Sequence, residues 1–466
     1  MAPHSDPGNS PSIELPVPIS AEEAVLLAVA RHQNGRLDEA RHIYRAVLRA
    51  LPQHPDALHF MGVLEHQCGD TAAAIGLIER SLAVAPGHAD AHNNLGNVFR
   101  EAGRPEDARR AYERAIELNP SHVPALSNLG LVLRNLGRWE DAIASLERAR
   151  ALAPHDPNVL VNLGNVYRQR KRFKDAVVAF REAIALHPYE PEAYRCLAFT
   201  LYAMGERAEA VTLLQQWLEV DPANPTARHL CAAYTQEDLP ERASDSYVRQ
   251  IFDSFAQSFD AVLDGLAYRA PQLVADCVAA SIGPASGRLS VLDAGCGTGL
   301  CAPLLKPYAA RLVGIDLSPG MLDRARRTGL YDELVESELT AFLALRPPTF
   351  DLIAAADTLC YFGTLRPVLR AIARALFPGG VFAFTLELAE DEVNEQGFVL
   401  HVHGRYAHSE TAVRDALREA GFDHVTTVTG VLRKERLEDV VGLIVSARRK
   451  ENGSDATRPE SAGHRL

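Results

Sequence analysis

A 34-residue period runs through the first half of this chain and leaves few folds open to it. Pro52, Pro86, Pro120, Pro154, Pro188 and Pro222 stand one period apart, as do Ala40, Ala74, Ala108, Ala142, Ala176 and Ala210. Gly62, Gly96, Gly130 and Gly164 keep the same step, with Ala28 and Ala198 flanking them, and Leu or Met precedes each of these positions. Two apolar stretches at helical spacing fill each period. They meet near Gly35, Gly69, Gly103, Gly137 or Gly205, where a turn needs permissive backbone. The small residues let paired helices approach closely, and each Pro stops the second helix before the next unit begins. Such units cannot bury an apolar face alone, so they stack into an α solenoid with a concave face.

The six units begin near residues 21, 55, 89, 123, 157 and 191 and resemble the tetratricopeptide repeat, with 225–235 as a capping helix. The resemblance implies that the first helix of each unit lines the groove. Position 6 of the three central units is Asn94, Asn128 and Asn162, position 9 is Asn97 and Asn165 with Leu131 between, and position 12 is Arg100, Arg134 and Arg168. A row of side-chain amides bonds both the N–H and C=O groups of an extended peptide, and Arg adds carboxylate recognition. The row is similar to the asparagine ladder of O-GlcNAc transferase repeats, with three rungs. Asn at these positions also serves packing between repeats of this family, and the sequence leaves both readings open. The expected partner is a polypeptide in the concave groove, whose ends are apolar at Phe60, Val63, Phe199 and Tyr202.

After Pro222 the period decays. Residues 236–246 (QEDLPERASDS) are polar, acidic and interrupted by Pro240, so they read as a linker. Residues 1–20 and 451–466 are expected to be disordered. From 289 onward apolar strands alternate with helices, the pattern of an α/β doubly wound sheet. The first strand runs into SVLDAGCGTGL, closed by Asp293, with Gly295, Gly297 and Gly299 in the turn. Glycines there let backbone approach a ligand and let a helix N-terminus face it. A dinucleotide fingerprint has Gly where Leu300 stands. The next strand, RLVGIDLSPGML, ends at Asp316, 23 residues after Asp293, where an acid accepts ribose hydroxyls.

The acid before a G-x-G-x-G turn, together with LSPGML, resembles the class I S-adenosylmethionine-dependent methyltransferases, which have a Rossmann-like fold. Further matches come in order: YDELVESEL, FDLIAAADTLCYF, LFPGGVFAFTLE, and HVTTVTGV with VVGLIVSARR as a closing antiparallel pair. The domain is placed at 247–450, and the whole chain looks like bacterial methyltransferases that carry tetratricopeptide repeats. The resemblance implies S-adenosyl-L-methionine as cofactor, held by Gly295, Cys296, Gly297, Gly299, Asp316, Leu317 and Met321. It implies that Asp293 orients the methionine moiety, that Glu338 reaches the adenine (with Glu336 competing), and that Asp357 faces the sulfonium unless it is a helix N-cap. No [DN]PP[YF] tetrapeptide stands at Asp357-Thr358-Leu359-Cys360, which argues against amide N-methylation of that kind. Cys296 and Cys360 read as buried structural thiols.

Two segments are candidates for selecting the acceptor. Tyr247, Phe252, Phe255 and Phe259 precede the domain and form either a lid over the cofactor or core packing. HVHGRYAHS follows the fifth strand and carries His401, His403, Arg405, Tyr406 and His408. Arg405 is a candidate for an acceptor carboxylate, and His408 or Tyr406 for taking a proton; a surface strand is the plain alternative. No acidic third ligand at a fixed spacing accompanies these histidines, so no metal is expected.

The 48 basic residues against 60 acidic ones give a net charge of −12, opposite to that of a phosphate-coating protein, and no nucleic-acid partner is expected. Seven scattered cysteines without a CxxC pair fit a reducing cytosol. Residues 1–20 contain no Lys or Arg and five Pro, unlike a signal peptide, and no run of about 18 apolar residues predicts a membrane span. A cytoplasmic methyltransferase with a peptide-recruiting solenoid is the leading expectation. The competing one is a protein-interaction adaptor whose methyltransferase domain binds cofactor with little or no activity. The acceptor and the oligomeric state stay open.

Overall fold

The structure, a computed structural model, describes residues 19–256, 259–389, 393–435 and 438–451. The chain divides into two compact units, Met1–Ala193 and Tyr194–Leu466.

The first unit holds five helix pairs: α1 (Ala21–Gln33) with α2 (Leu37–Ala50), α3 (Pro55–Gln67) with α4 (Thr71–Val84), α5 (Ala89–Glu101) with α6 (Pro105–Leu118), α7 (Val123–Asn135) with α8 (Trp139–Leu152), and α9 (Pro157–Gln169) with α10 (Phe173–Leu186). Four of the tight turns use a glycine at positive φ, and in the fifth pair Lys171 takes the same conformation at φ 57°. The invariant small position is a seat for the partner helix. A Cβ on Gly96 would lie 2.5 Å from Tyr112, and one on Gly130 would lie 2.5 Å from Leu146. His54, His88 and His122 cap α3, α5 and α7 with Nδ1, which accepts the backbone N–H of Ala57, Ala91 and Ala125. The first helices of successive pairs also pack on one another, α1 on α3 through to α7 on α9.

In the second unit, α11 (Pro191–Ala203, which starts before the division), α12 (Arg207–Val220) and α13 (Pro225–Thr235) continue the repeat pattern. Then come α14 (Asp245–Phe255), α15 (Phe259–Gly265) and α16 (Ala270–Ile282), and after the first strand the short α17 (Ala302–Leu305). The stretch expected as a linker is tied down by backbone: Glu241 O accepts from Gly363 and Thr364 at 2.9 and 2.8 Å, and Ala243 N donates to Tyr361 O at 2.8 Å.

Among the described residues nine strands form one sheet: β1 (Leu289–Ala294), β2 (Ala309–Asp316), β3 (Glu333–Glu336), β4 (Phe350–Ala355), β5 (Leu376–Leu388), β6 (Phe398–Leu400), β7 (Tyr406–His408), β8 (Phe422–Glu435) and β9 (Glu438–Arg449). The order β3-β2-β1-β4-β5 is parallel throughout, β9 runs antiparallel to β5, and β8 antiparallel to β9. The β6–β7 hairpin joins at the end of β5, where Glu387 pairs with Ala407 and Leu388 with His408. One face buries Ile353, Phe382 and Phe384 with Leu369 and Ile372 of α20 (Arg366–Ala375) and Leu417 of α21 (Glu410–Glu419). The other buries Leu312, Leu352 and Val381 under Val274 and Val278 of α16. Strand order reverses between β1 and β4, and in doubly wound sheets ligands bind at the carboxyl ends of strands at that reversal. Among the described residues no helix is long and apolar enough to cross a membrane. All seven cysteines are free thiols.

Candidate active site

The turn after β1 and the end of β2 are locked together by one carboxylate. Asp316 Oδ2 accepts the N–H of Gly297 at 2.9 Å, and Oδ1 accepts the N–H of Ser318 at 2.9 Å. Cys296 donates its own N–H to Ile315 O at 2.9 Å, and its thiol is buried beside Leu322 and Ala325 of α18 (Pro319–Arg327). Gly297 has φ 54°, and a Cβ there would meet nothing within 4 Å, so the turn borders open space at that residue. At Gly295 (φ 70°) a Cβ would collide with Thr358, whose hydroxyl donates to Ala294 O at 2.8 Å and so ties the end of β1 to the segment after β4.

These residues fit an adenosyl cofactor. Each oxygen of Asp316 keeps an acceptor lone pair after its backbone bond, as a ribose diol requires, and the glycine backbone borders space beside it. Burial raises the Asp316 carboxyl above its usual range, opposed by the N–H groups of Ser318, Gly297 and Leu317.

Asp293 is 1% exposed, and its Oδ2 accepts the Tyr331 hydroxyl at 2.6 Å. Burial pushes it up to about 7 against the pull of that hydrogen bond. Met321 is buried on α18, and Leu317 O accepts from Arg249 Nε at 3.1 Å. β3 ends at Glu336, two residues before Glu338. The Glu338 carboxylate caps α19 (Leu339–Ala344), accepting from Thr340 and Ala341 at 2.9 and 2.7 Å.

Two acids that precede β1 clasp this region. Asp253 of α14 accepts from Ser318 Oγ and from Gly320 N. Asp260 of α15 accepts from Thr298 Oγ1 at 2.5 Å and from Arg324 Nη2 at 2.8 Å. Thr298 lies between Gly297 and Gly299, so α15 is fastened to the glycine turn itself. Among the aromatics considered for a lid, Phe252 packs edge-on against Phe259 and Tyr361, and Tyr247 is buried against His229. The side chain of Phe255 lies outside the described residues.

Beyond β4, Asp357 (φ 50°) accepts from Thr385 Oγ1 at 3.0 Å and from Arg433 Nη1 at 2.8 Å. Arg433 also bonds Glu387 and Glu435, and Arg405 binds those same two acids. Burial raises Asp357, with Arg433 opposing it; Arg405 and Arg433 hold Glu435 down at about 2 in spite of its burial. The three acceptor candidates all have partners inside the protein. Arg405 is taken up by Glu387 and Glu435. Tyr406 is wholly buried and donates to Pro240 O at 2.8 Å. His408 is buried with Nε2 2.9 Å from Gly363 O, and burial lowers it to about 4.

In the first unit the central Asn residues bind one another. Asn128 Nδ2 donates to both Asn93 and Asn97 Oδ1 at 3.1 Å, Asn94 Nδ2 lies 2.8 Å from His59 Nε2, and Asn162 donates to Ser127. Arg168 donates to Asn165, Arg134 to Asn135, and Arg100 to Glu101. The amides therefore form a ladder between repeats.

Sequence reasoning passed over Arg433, Glu387, Glu435, Tyr331, Asp253 and Asp260. Glu387 ends a recognised strand and was open to notice. Arg433 was hidden because the eighth strand runs to Glu435, four residues past the apolar segment that marked it.

Comparison with known proteins agrees with this architecture. A family profile described as a methyltransferase domain matches residues 292–384, and tetratricopeptide repeat profiles match 18–55, 53–121, 123–188 and 167–234. The chain thus carries tetratricopeptide repeats and a methyltransferase domain. Human methyltransferase-like protein 27 is 44% identical over 85 residues, 18% of this chain and 34% of that protein. The malonyl-[acyl-carrier protein] O-methyltransferase of Enterobacter lignolyticus is 35% identical over 112 residues, 24% of this chain and 44% of that protein. The chain therefore spans less than half the length of either relative, and the two come from human and bacterial sources. Among solved structures, Pseudomonas aeruginosa PilF matches with TM-score 0.40 and 19% identity, over 46% of this chain and 96% of that one. YrrB, described as a tetratricopeptide protein with an unusual peptide-binding site, matches with TM-score 0.34 and 18% identity, over 40% of this chain and 96% of that one.

Proposed function

We propose that the second unit transfers a methyl group from S-adenosyl-L-methionine and that the repeats recruit a polypeptide acceptor or carrier in the cytoplasm. The observation that carries the first part is Asp316, an acid at the end of β2 whose two oxygens are held by Gly297 and Ser318 beside an open glycine turn. In this reading Asp316 accepts the ribose hydroxyls, the Gly295–Gly299 backbone lies along the methionine portion, and Glu338 stands near the adenine. The cofactor supplies a methyl group already activated on sulfur, so the chain's task is alignment and exclusion of water. Asp253 and Asp260 serve that task by holding α14 and α15 over the turn. Asp357, Glu387 and the two arginines form a rigid charged wall beyond β4. For the repeats, the recurrence of Arg100, Arg134 and Arg168 at the same position of the three central units supports recognition of an acidic or carboxylate-bearing chain.

Calorimetric titration of the full chain with S-adenosylhomocysteine tests the first part: about one equivalent is expected to bind, and no binding sinks it. Labelled S-adenosylmethionine added to a native lysate tests the second. Reversal of the three arginines to Glu is expected to abolish labelling of a polypeptide while cofactor binding persists. Unchanged labelling would remove the recruiting role.

A further inference from the structure

The fold supplies the acid that sequence spacing did not. Glu387, at the end of β5, His401 and His403 offer one ligand atom each, all within 4.8 Å of one another. We infer that these three side chains form a site for a divalent first-row transition cation of the zinc class. Two imidazoles and one carboxylate are the donor set such ions take, and bonds of about 2.1 Å bring tetrahedral ligands to roughly 3.4 Å apart, within reach of side-chain rotation.

The surroundings are arranged for this. Arg405 Nε, at 2.7 Å, and Arg433 hold Glu387 by Oε1, while Oε2 faces His403 Nε2 at 3.6 Å. The carboxylate is thus oriented by partners on one oxygen and open on the other, the arrangement of an outer shell around a metal ligand. Three acids (Asp357, Glu387 and Glu435) face two guanidiniums, so a cation offsets a local excess of negative charge. Among the described residues, neither His401 nor His403 has a ring nitrogen hydrogen-bonded within the protein.

The loop that carries the histidines is held by hydrogen bonds within itself and to its neighbours. His401 N donates to Arg405 O at 2.9 Å and Gly404 N to His401 O at 2.7 Å. Gly404 O lies 2.9 Å from His229 Nε2 of α13, and Gln236 Nε2 donates to Leu400 O at 2.7 Å. His403 is the exposed member of the three, so an entry path exists, and three protein ligands leave a fourth position for water or an acceptor oxygen. Through Arg433, which bonds both Glu387 and Asp357, the site is joined to the end of β4.

The inference stands apart from the methyl-transfer reading, because its test needs no cofactor. Untagged full-length protein is stripped with chelator and titrated with Zn²⁺, with Mg²⁺ as control. About one equivalent of Zn²⁺ is expected to bind, Mg²⁺ is expected not to bind, and H401A and H403A are each expected to weaken Zn²⁺ by about tenfold or more. H424A, which alters an exposed histidine outside the cluster, is expected to leave binding unchanged. Circular dichroism confirms that the variants fold. Co²⁺ substituted at the site is expected to show nitrogen and oxygen ligation. Absence of Zn²⁺ binding, retention of full affinity in both His variants, or a thiolate-to-cobalt band would overturn the proposal.

Discussion

Arg433 Nη1 lies 2.8 Å from Asp357 Oδ2 and ties β8 to the segment that follows β4. The same guanidinium serves Glu387 and Glu435, and its side chain is 3% exposed. Asp357 sits at φ 50°, a conformation costly for a residue with a Cβ, so its surroundings must hold it there.

Removing the cation leaves the buried Asp357 carboxylate without a counter-charge, while Glu387 and Glu435 keep Arg405 alone. Arg433→Met is therefore expected to destabilise the second unit by about 3–5 kcal/mol. Arg366→Ala, which breaks a half-exposed pair with Glu419, is expected to cost no more than about 1 kcal/mol. Thermal unfolding of the two variants side by side checks the contrast, and equal losses would show that burial of the network contributes nothing.

Asp316 supports a second prediction. Asp316→Ala removes both the acceptor oxygens and the tie to Gly297, and it is expected to weaken S-adenosylhomocysteine by about 10- to 100-fold, one charged hydrogen bond or more. Asp316→Asn keeps one acceptor oxygen and is expected to fall between. Calorimetry reads both, and an alanine variant with unaltered affinity would free the ribose from this residue.

Glycine at the eighth position of the four inner repeats, Gly62, Gly96, Gly130 and Gly164, is a packing requirement. Gly96→Ala presses a methyl group against Tyr112 and is expected to destabilise the first unit by about 1–3 kcal/mol. Gly76→Ala, on α4 with open space around it, is expected to stabilise by about 0.5–1 kcal/mol through helix propensity. Opposite shifts in chemical denaturation would bear this out; shifts of one sign would not.

The parts of the fold legible in the sequence were those with a period or a local turn. The 34-residue step located every helix pair, because each unit repeats the same local packing, and the glycine turn with Asp316 was readable because backbone geometry limits which residues fit there. The charged wall was not legible. Asp357, Glu387, Arg405 and Arg433 come from four segments, and only the sheet register brings them together. The histidine loop was read for its chemistry, but its acid lies on β5, at no fixed spacing from it. The aromatic residues before the domain drew attention as a lid, whereas Asp253 and Asp260 make the ties to Ser318 and Thr298, since a buried hydroxyl or N–H must find an acceptor.

Asp293 carries the last prediction, on pH. Its carboxyl sits at about 7 in the folded protein, raised by burial, against about 3.9 in an unfolded chain. The folded state therefore holds this proton more tightly. The stability it contributes is fully present below about pH 4, falls as pH rises toward 7, and is constant above, a change of a few kcal/mol. Asp293→Asn has no proton to lose, and its carbonyl still accepts from Tyr331. Relative to this variant, the wild-type melting temperature is expected to drop steadily between pH 4.5 and 7.5. Parallel curves across that range would mean that Asp293 is ionised in the folded protein, held so by the Tyr331 hydroxyl in spite of its burial.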